Sequence, residues 1–355
     1  MQSQTRTRFT LSRGLHHLAS IAFLLAASAS IFGVGSAGQT SLPPAGQTSD
    51  GPWTPVQSID FSSKHNILLK SEDGTLTPMD VPYFKSTLIA PGTWQILSDG
   101  DHSYLVEGDN EALVIDSGYG AGNIREYCQT LTKKPVRYIA NTHDHFDHTA
   151  NNAYFERAYM SEETKKKATI PFPSFAGIHF PRDYPITVIG DGYKFQLGNR
   201  ELEVFSIPNH GSGGTAYLDR RQRILFSGDE ILGLNVNLNC SVEQFEKNMR
   251  KIAAHRSEYD RLCAGPGIFD ASYVDKFLQN AQYILAGHEG EPAKPRAARP
   301  AAPPADPSAP VIYNRRIPHP PDIGGGRGAG QANENLRQMT YAGCTITYDI
   351  RRIKG

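Results

Sequence analysis

From about Ser86 onward, apolar and polar positions fall into short, sharply bounded runs. WQIL (94–97), SYLV (103–106) and ALVI (112–115) predict three β-strands, with DGD (99–101) and GDN (108–110) as the turns between them. Gly118 and Gly120 break the third strand, and a helix is predicted from about Asn123 to Leu131. VRYIA (136–140) predicts a buried strand, and the chain beyond it predicts a helix from Ala150 to about Arg157. Further strands are predicted over 185–189, 193–197, 201–207, 215–218 and 223–227. The pattern then changes to a helical period. Val242, Phe245, Met249 and Ile252 share one face behind a Ser241/Gln244 capping box. A last helix begins near Asp270, buries Val274, Phe277, Leu278, Ala281 and Ile284, and stops at Gly287. Strands, helix, strands and helix again predict an α/β fold: a four-layer αββα sandwich of two mixed sheets flanked by helices.

The flanks read differently. Arg6, Arg8 and Arg13 precede an apolar run over 18–34 and the small residues Gly35, Ser36 and Ala37. That is the plan of a secretory signal peptide over 1–37, cleaved after Ala37 or, as a rival, Ala29, although the run is also about long enough to be an uncleaved anchor. The expected location is periplasmic or secreted, and no cysteine follows the run to mark a lipoprotein. Residues 38–85 read as a flexible lead and an N-terminal extension, and 86–288 as the main domain. Residues 289–335 read as a Pro/Ala/Gly-rich linker. Its DIGGGRGAG stretch follows no predicted strand, so it is not a nucleotide loop. In 336–355, TITYDI (345–350) alternates like a strand returning to an edge of the main sheet.

Composition removes some classes of partner. Lysine plus arginine and aspartate plus glutamate both number 36, so no strong global field draws in nucleic acid or an anionic membrane. The four cysteines, Cys128, Cys240, Cys263 and Cys344, allow three disulfide pairings in an oxidising compartment. Buried free thiols are an equally good reading.

The chemistry concentrates in NTHDHFDHTAN (141–151), where His143, His145, Asp147 and His148 crowd a predicted strand end. His143 and His145 alternate, so in an extended chain they point the same way. Imidazole suits zinc, iron or copper, and the spacing can serve two adjacent ions from one loop. Three other strand ends carry similar groups: His210 in SIPNHGSGGTAY, Asp229 in ILFSGDEI and Asp116 in LVIDSGYG. Each alone is weak, since a strand-end aspartate is more often a turn former and a single histidine more often structural. Gly211, Gly213 and Gly214 permit close backbone approach beside His210. HGSGG is not G-x-S-x-G, so a serine nucleophile elbow is rejected.

Over about residues 86–287 the combination resembles the metallo-β-lactamase superfamily of αββα metallohydrolases. The HxHxDH motif is present in full as His143, His145, Asp147 and His148, and VIDSGYG, PNHGSGGTAY and FSGDEI occur in the family's order. The resemblance implies that His143, His145 and His210 bind a first metal and that Asp147 and His148 bind a second. Asp229 would bridge the two, as in the glyoxalase-II-like branch, and Asp116 would orient the His-rich loop. One feature departs from the family: LCAGPGIF has Pro266 where the pattern carries its last histidine. The second metal then loses a ligand, with His179 and His288 as candidate replacements and His102 as a further residue that could face the pocket.

The implied activity is that of an exported hydrolase holding one or two zinc ions. A metal-bound hydroxide, with Asp147 taking a proton or holding it in line, would attack an ester, thioester, amide or lactam of a small molecule. A β-lactamase is one such case. Two alternatives share the fold: a mono-iron sulfur-compound dioxygenase using His143, His210 and Asp229, and a metal-binding module without activity. ATIPFPSFAGIHFPRDYP (168–185) reads as a wall or lid bearing Phe172, Phe175 and Phe180, and Asn235 and Asn237 as possible substrate contacts. Oligomeric state is not legible in the letters.

Overall fold

Alternation along single strands sets the layers. In Ala112–Ile115, Ala112 and Val114 face one apolar cluster while Leu113 and Ile115 face another. A strand buried on both sides reads as a continuous apolar run, as ALVI does. The computed structural model of the chain describes residues 67–71, 73–78, 84–98, 101–118, 122–169, 181–293, 311–314 and 334–355. The signal-peptide segment, most of the lead, the 170–180 stretch with Phe172, Phe175, His179 and Phe180, and DIGGGRGAG lie outside the described residues.

The first sheet has seven strands in chain order, from Lys85–Ala90 to Ile186–Val188. Its first four, ending with Asp101–Glu107 and Ala112–Ile115, are antiparallel. Val136–Ala140, Arg157–Met160 and Ile186–Val188 then add in parallel. The second sheet orders Lys194–Gln196, Glu201–Ser206, Thr215–Asp219, Ile224–Gly228, Arg261–Ala264 and Gly267–Asp270. Tyr104, Val106, Leu113 and Tyr138 of the first sheet pack on Phe195, Val204, Tyr217 and Phe226 of the second. Helix α1 (Ile124–Leu131) covers the outer face of the first sheet through Ile124 and Cys128. Helices α4 (Val242–Ala253) and α5 (Ser272–Leu285) cover the outer face of the second. The expected four-layer αββα sandwich is therefore present.

Several expectations are corrected. No helix spans 150–157. Phe146–Thr149 forms a one-turn helix, α2, and Asn152–Tyr154 a 3-10 turn; Arg157–Met160 is a strand. The asparagines are tied elsewhere. Asn152 Nδ2 donates to Asn141 Oδ1 at 2.8 Å and to Tyr184 Oη at 3.0 Å, and the Asn151 amide donates to Ser117 Oγ. Such side-chain bonds compete with helix, and pairing with Val136–Ala140 draws the following residues into the sheet. Helix α3 (Glu162–Ala168) was not foreseen, although Ser161 caps it and its charges run acidic to basic along the dipole. The capping box of α4 is half made: Ser241 Oγ accepts from the Gln244 amide, but the Gln244 side chain turns to Asn248.

The C-terminal strand Cys344–Asp349 does not join either main sheet. It pairs with Leu336–Tyr341 and, in parallel, with Asn235–Asn237 in a separate four-stranded sheet. Within the span read as linker, Glu291–Pro292 pairs with that sheet, and Val311–Asn314 pairs in parallel with Ile67–Lys70. All four cysteines are free thiols.

Candidate metal centre

The HxHxDH loop leaves the C-terminal end of Val136–Ala140, beside Asp116 at the end of the parallel strand Ala112–Ile115. Asp116 sits at φ 59°, a left-handed conformation that aspartate tolerates better than most residues. From there Oδ1 accepts the Thr142 amide at 2.7 Å, and Oδ2 accepts Thr142 Oγ1 at 2.7 Å and meets His148 Nδ1 at 2.8 Å. One carboxylate thus fixes the loop and turns His148 Nε2 inward, as a carboxylate behind a metal-binding imidazole does.

His210 and Asp229 arrive from the second sheet. Glu230 accepts the backbone amides of Asn209, His210 and Gly211 at 2.6, 2.7 and 2.8 Å, which sets the His210 loop. The glycines leave the required room: a Cβ at Gly211 would lie 2.6 Å from His143 Cβ, and one at Gly214 2.1 Å from Glu230 Cδ. Asp229 follows a register shift between Phe226 and Gly228, and such bulges re-aim side chains near functional sites.

The six predicted residues come together. Ligand atoms of His143, His145 and His210 all lie within 4.8 Å of one another, as do those of His143, His148 and Asp229. His210 Nε2 is 3.2 Å from His145 Nδ1. His148 Nε2 is 3.7 Å from Asp229 Oδ1 and 3.9 Å from Asp147 Oδ2. A third group was missed in the letters: Asp101 with Asp147 and His148. Asp101 opens the strand Asp101–Glu107, whose antiparallel pairing of Tyr104 with Ile115 brings its start to the same sheet end. The DGD turn in which it was read concealed this. His102 turns to the Gly265 carbonyl at 2.8 Å, and His288 stacks on Tyr283 at 3.7 Å, so neither fills the place of the missing histidine. Asn235 and Asn237 are exposed.

The electrostatics fit a cation. His148 Nε2, His210 Nδ1, Asp229 Oδ1 and Asp101 Oδ2 are buried without a hydrogen-bond partner, a costly state for polar atoms unless something else satisfies them. Burial, reinforced by Asp147 and Asp229, pushes the Asp101 carboxyl well above its usual range. Burial opposes ionisation of Asp229 too, but His148 holds it low. Burial disfavours charge on His148, and Asp116, Asp147 and Asp229 outweigh it, so that imidazole is raised. His210 is lowered by burial, and Glu230 is pushed up by burial to about 8.

The family model described as "Metallo-beta-lactamase superfamily" matches residues 99–238, which contain all of these groups. This segment of the chain is similar to the metallo-β-lactamase superfamily. The chain is 29% identical to the acyl-coenzyme A thioesterase MBLAC2 of Gallus gallus, over 36% of this chain and 56% of that protein. It is 30% identical to a hydroxyacylglutathione hydrolase of Rhodospirillum rubrum, over 34% of this chain and 44% of that one. The chain thus spans little more than half the length of the first relatives it matches. A solved mono-zinc form of the metallo-β-lactamase FIM-1 from Pseudomonas aeruginosa aligns at TM-score 0.45 and 18% identity, covering 58% of this chain and 98% of that one. Pro266 and helices α4 and α5 lie beyond the metallo-β-lactamase segment.

Proposed function

We propose that this protein is an exported, metal-dependent hydrolase that cleaves acyl thioesters. The observation that carries this is the convergence of His143, His145 and His210 beside His148, Asp147 and Asp229 at one end of the two sheets. His143, His145 and His210 would hold one ion; Asp147 and His148 would hold a second, with Asp229 shared. A bound ion of this kind lowers the pKa of its water from about 15.7 to near 7 and polarises an acyl carbonyl. Asp116 orients His148, and Glu230 holds the backbone that presents His210. Asp147 takes the proton of the attacking water or keeps that water in line with the acyl carbon. Two relatives named for hydrolysis of acyl-coenzyme A and hydroxyacylglutathione, both thioesters, support that substrate class over a lactam. The charged, apolar and small-residue order of the first 37 residues supports export.

Protein purified without chelator and supplied with zinc is expected to bind about two zinc ions per chain, the two-ion arrangement of such hydrolases. It is expected to release thiol from an acyl-coenzyme A or acylglutathione panel, and Asp147→Asn is expected to lose that turnover about 10²–10⁴-fold. Iron near one per chain with oxidation of a sulfur substrate, or full metal loading with no thioester turned over, would overturn the proposal. The mass of the exported product distinguishes cleavage after Ala37 or Ala29 from an uncleaved anchor.

A further inference from the structure

Pro266 removes a ligand from the second ion's position, and the fold brings another donor to the loop that carries it. The strand Asp101–Glu107 is bonded to that loop at three points. The His102 amide and ring both meet the Gly265 carbonyl, at 3.0 and 2.8 Å, and Tyr104 Oη donates to the Ala264 carbonyl at 2.7 Å. A Cβ at position 265 would lie 2.3 Å from Asp229 Oδ1 and 3.0 Å from Asp101 Oδ1. Both carboxylates therefore crowd the one spot beside Pro266 that only glycine leaves open.

We infer that Asp101 is a ligand of the second metal ion, replacing the histidine that Pro266 displaces. Asp101 is 4% exposed, and its Oδ2 has no hydrogen-bond partner. Its ligand atom lies within 4.8 Å of those of Asp147 and His148. His148 Nε2, also buried and without a hydrogen-bond partner, is turned to the same place by Asp116. Three buried carboxylates, Asp101, Asp147 and Asp229, lie about His148, and His143 and His210 also approach Asp229. Buried charges are paired or coordinate metals, and a divalent cation satisfies more of these acids than one imidazolium can. The second ion would then have four protein ligands, Asp101, Asp147, His148 and Asp229, the number zinc ordinarily takes. Asp101 takes this role only if the centre proposed above binds two ions.

The test is metal binding by the full chain, stripped with chelator and titrated with zinc and with cobalt(II). The parent is expected to bind two ions per chain. Asp101→Asn keeps the shape and removes the charge. It is expected to retain the first ion at parental affinity and to bind the second at least tenfold more weakly, with an unchanged circular dichroism spectrum. Asp101→Cys gives a direct reading that does not depend on activity: its cobalt form is expected to show a thiolate-to-cobalt charge-transfer absorption that the cobalt parent lacks. Two tight ions in Asp101→Asn, together with no such absorption in Asp101→Cys, would overturn the assignment and leave the metal centre standing. A parent that binds no ion or only one would overturn the two-ion centre itself, and the assignment with it.

Discussion

Glu230 shows how much of this site depends on groups that face away from it. Its carboxylate accepts three consecutive amides, from Asn209 to Gly211, and Gly214 leaves space for it. An amide in its place would turn an N–H donor toward N–H donors. Glu230→Gln is therefore expected to cost about 1–3 kcal/mol of stability, the penalty for leaving a buried donor unmade. It should also weaken binding of the first ion by roughly 10–100-fold, as loss of groups supporting a ligand does. Urea unfolding and zinc titration check both, and parental values in both would show that the His210 loop needs no such support. Nothing in FSGDEI marks Glu230 as different in kind from its neighbour Asp229. Its role follows from a loop some twenty residues earlier in the chain, which no local pattern reveals. The HxHxDH cluster was legible because its residues are adjacent in sequence. Asp101 was not, because it depends on antiparallel pairing between Tyr104 and Ile115.

At the scale of elements, strong periodicity was read correctly and competing interactions were not. The face of α4 needs only its own spacing, and Val242, Phe245, Met249 and Ile252 are all buried. The stretch after the His-rich loop is helical in pattern, yet its asparagines bond to Asn141 and Ser117, and Arg157–Met160 is claimed by the sheet. Helix α3 is short and mostly charged, so its apolar pattern does not predict it, but Ser161 caps it and that cap has a second task. Ser161 Oγ accepts the Thr164 amide at 3.1 Å and donates to the Gly213 carbonyl at 2.6 Å, tying α3 to the His210 loop. Ser161→Ala is expected to cost about 1–2 kcal/mol through the lost cap and bond. Hydrogen exchange should quicken at the amides of 162–164 and 211–214 together. Faster exchange confined to 162–164 would show that the loop is held without Ser161, through the Thr164 Oγ1 bond to the same Gly213 carbonyl at 3.2 Å.

At the scale of the molecule, the site needs the two sheets to keep their relative placement, because Asp116 and the HxHxDH loop belong to one and His210 and Asp229 to the other. Apolar packing between the sheets is non-directional and sets no register by itself. A buried polar clamp supplies one. Arg200, entering the strand Glu201–Ser206, binds Asp219 of its own sheet through Nε at 2.8 Å. Across the interface it donates to the carbonyls of Gly92 and Glu107 at 2.7 and 3.0 Å and to Thr93 Oγ1 at 2.6 Å. Both partners of the pair are buried, so removing one strands the other's charge. Arg200→Leu is expected to destabilise the fold by about 3–5 kcal/mol, while Arg200→Leu with Asp219→Leu recovers part of that: the unpaired charge is gone, but the Gly92 and Glu107 carbonyls and Thr93 Oγ1 still lack their donor. Chemical denaturation of the two variants gives the comparison. If the double variant recovers stability but still binds zinc more weakly than the parent, the clamp is there to align the sheets. If it recovers both, apolar packing alone is enough to bring the two halves of the metal centre together.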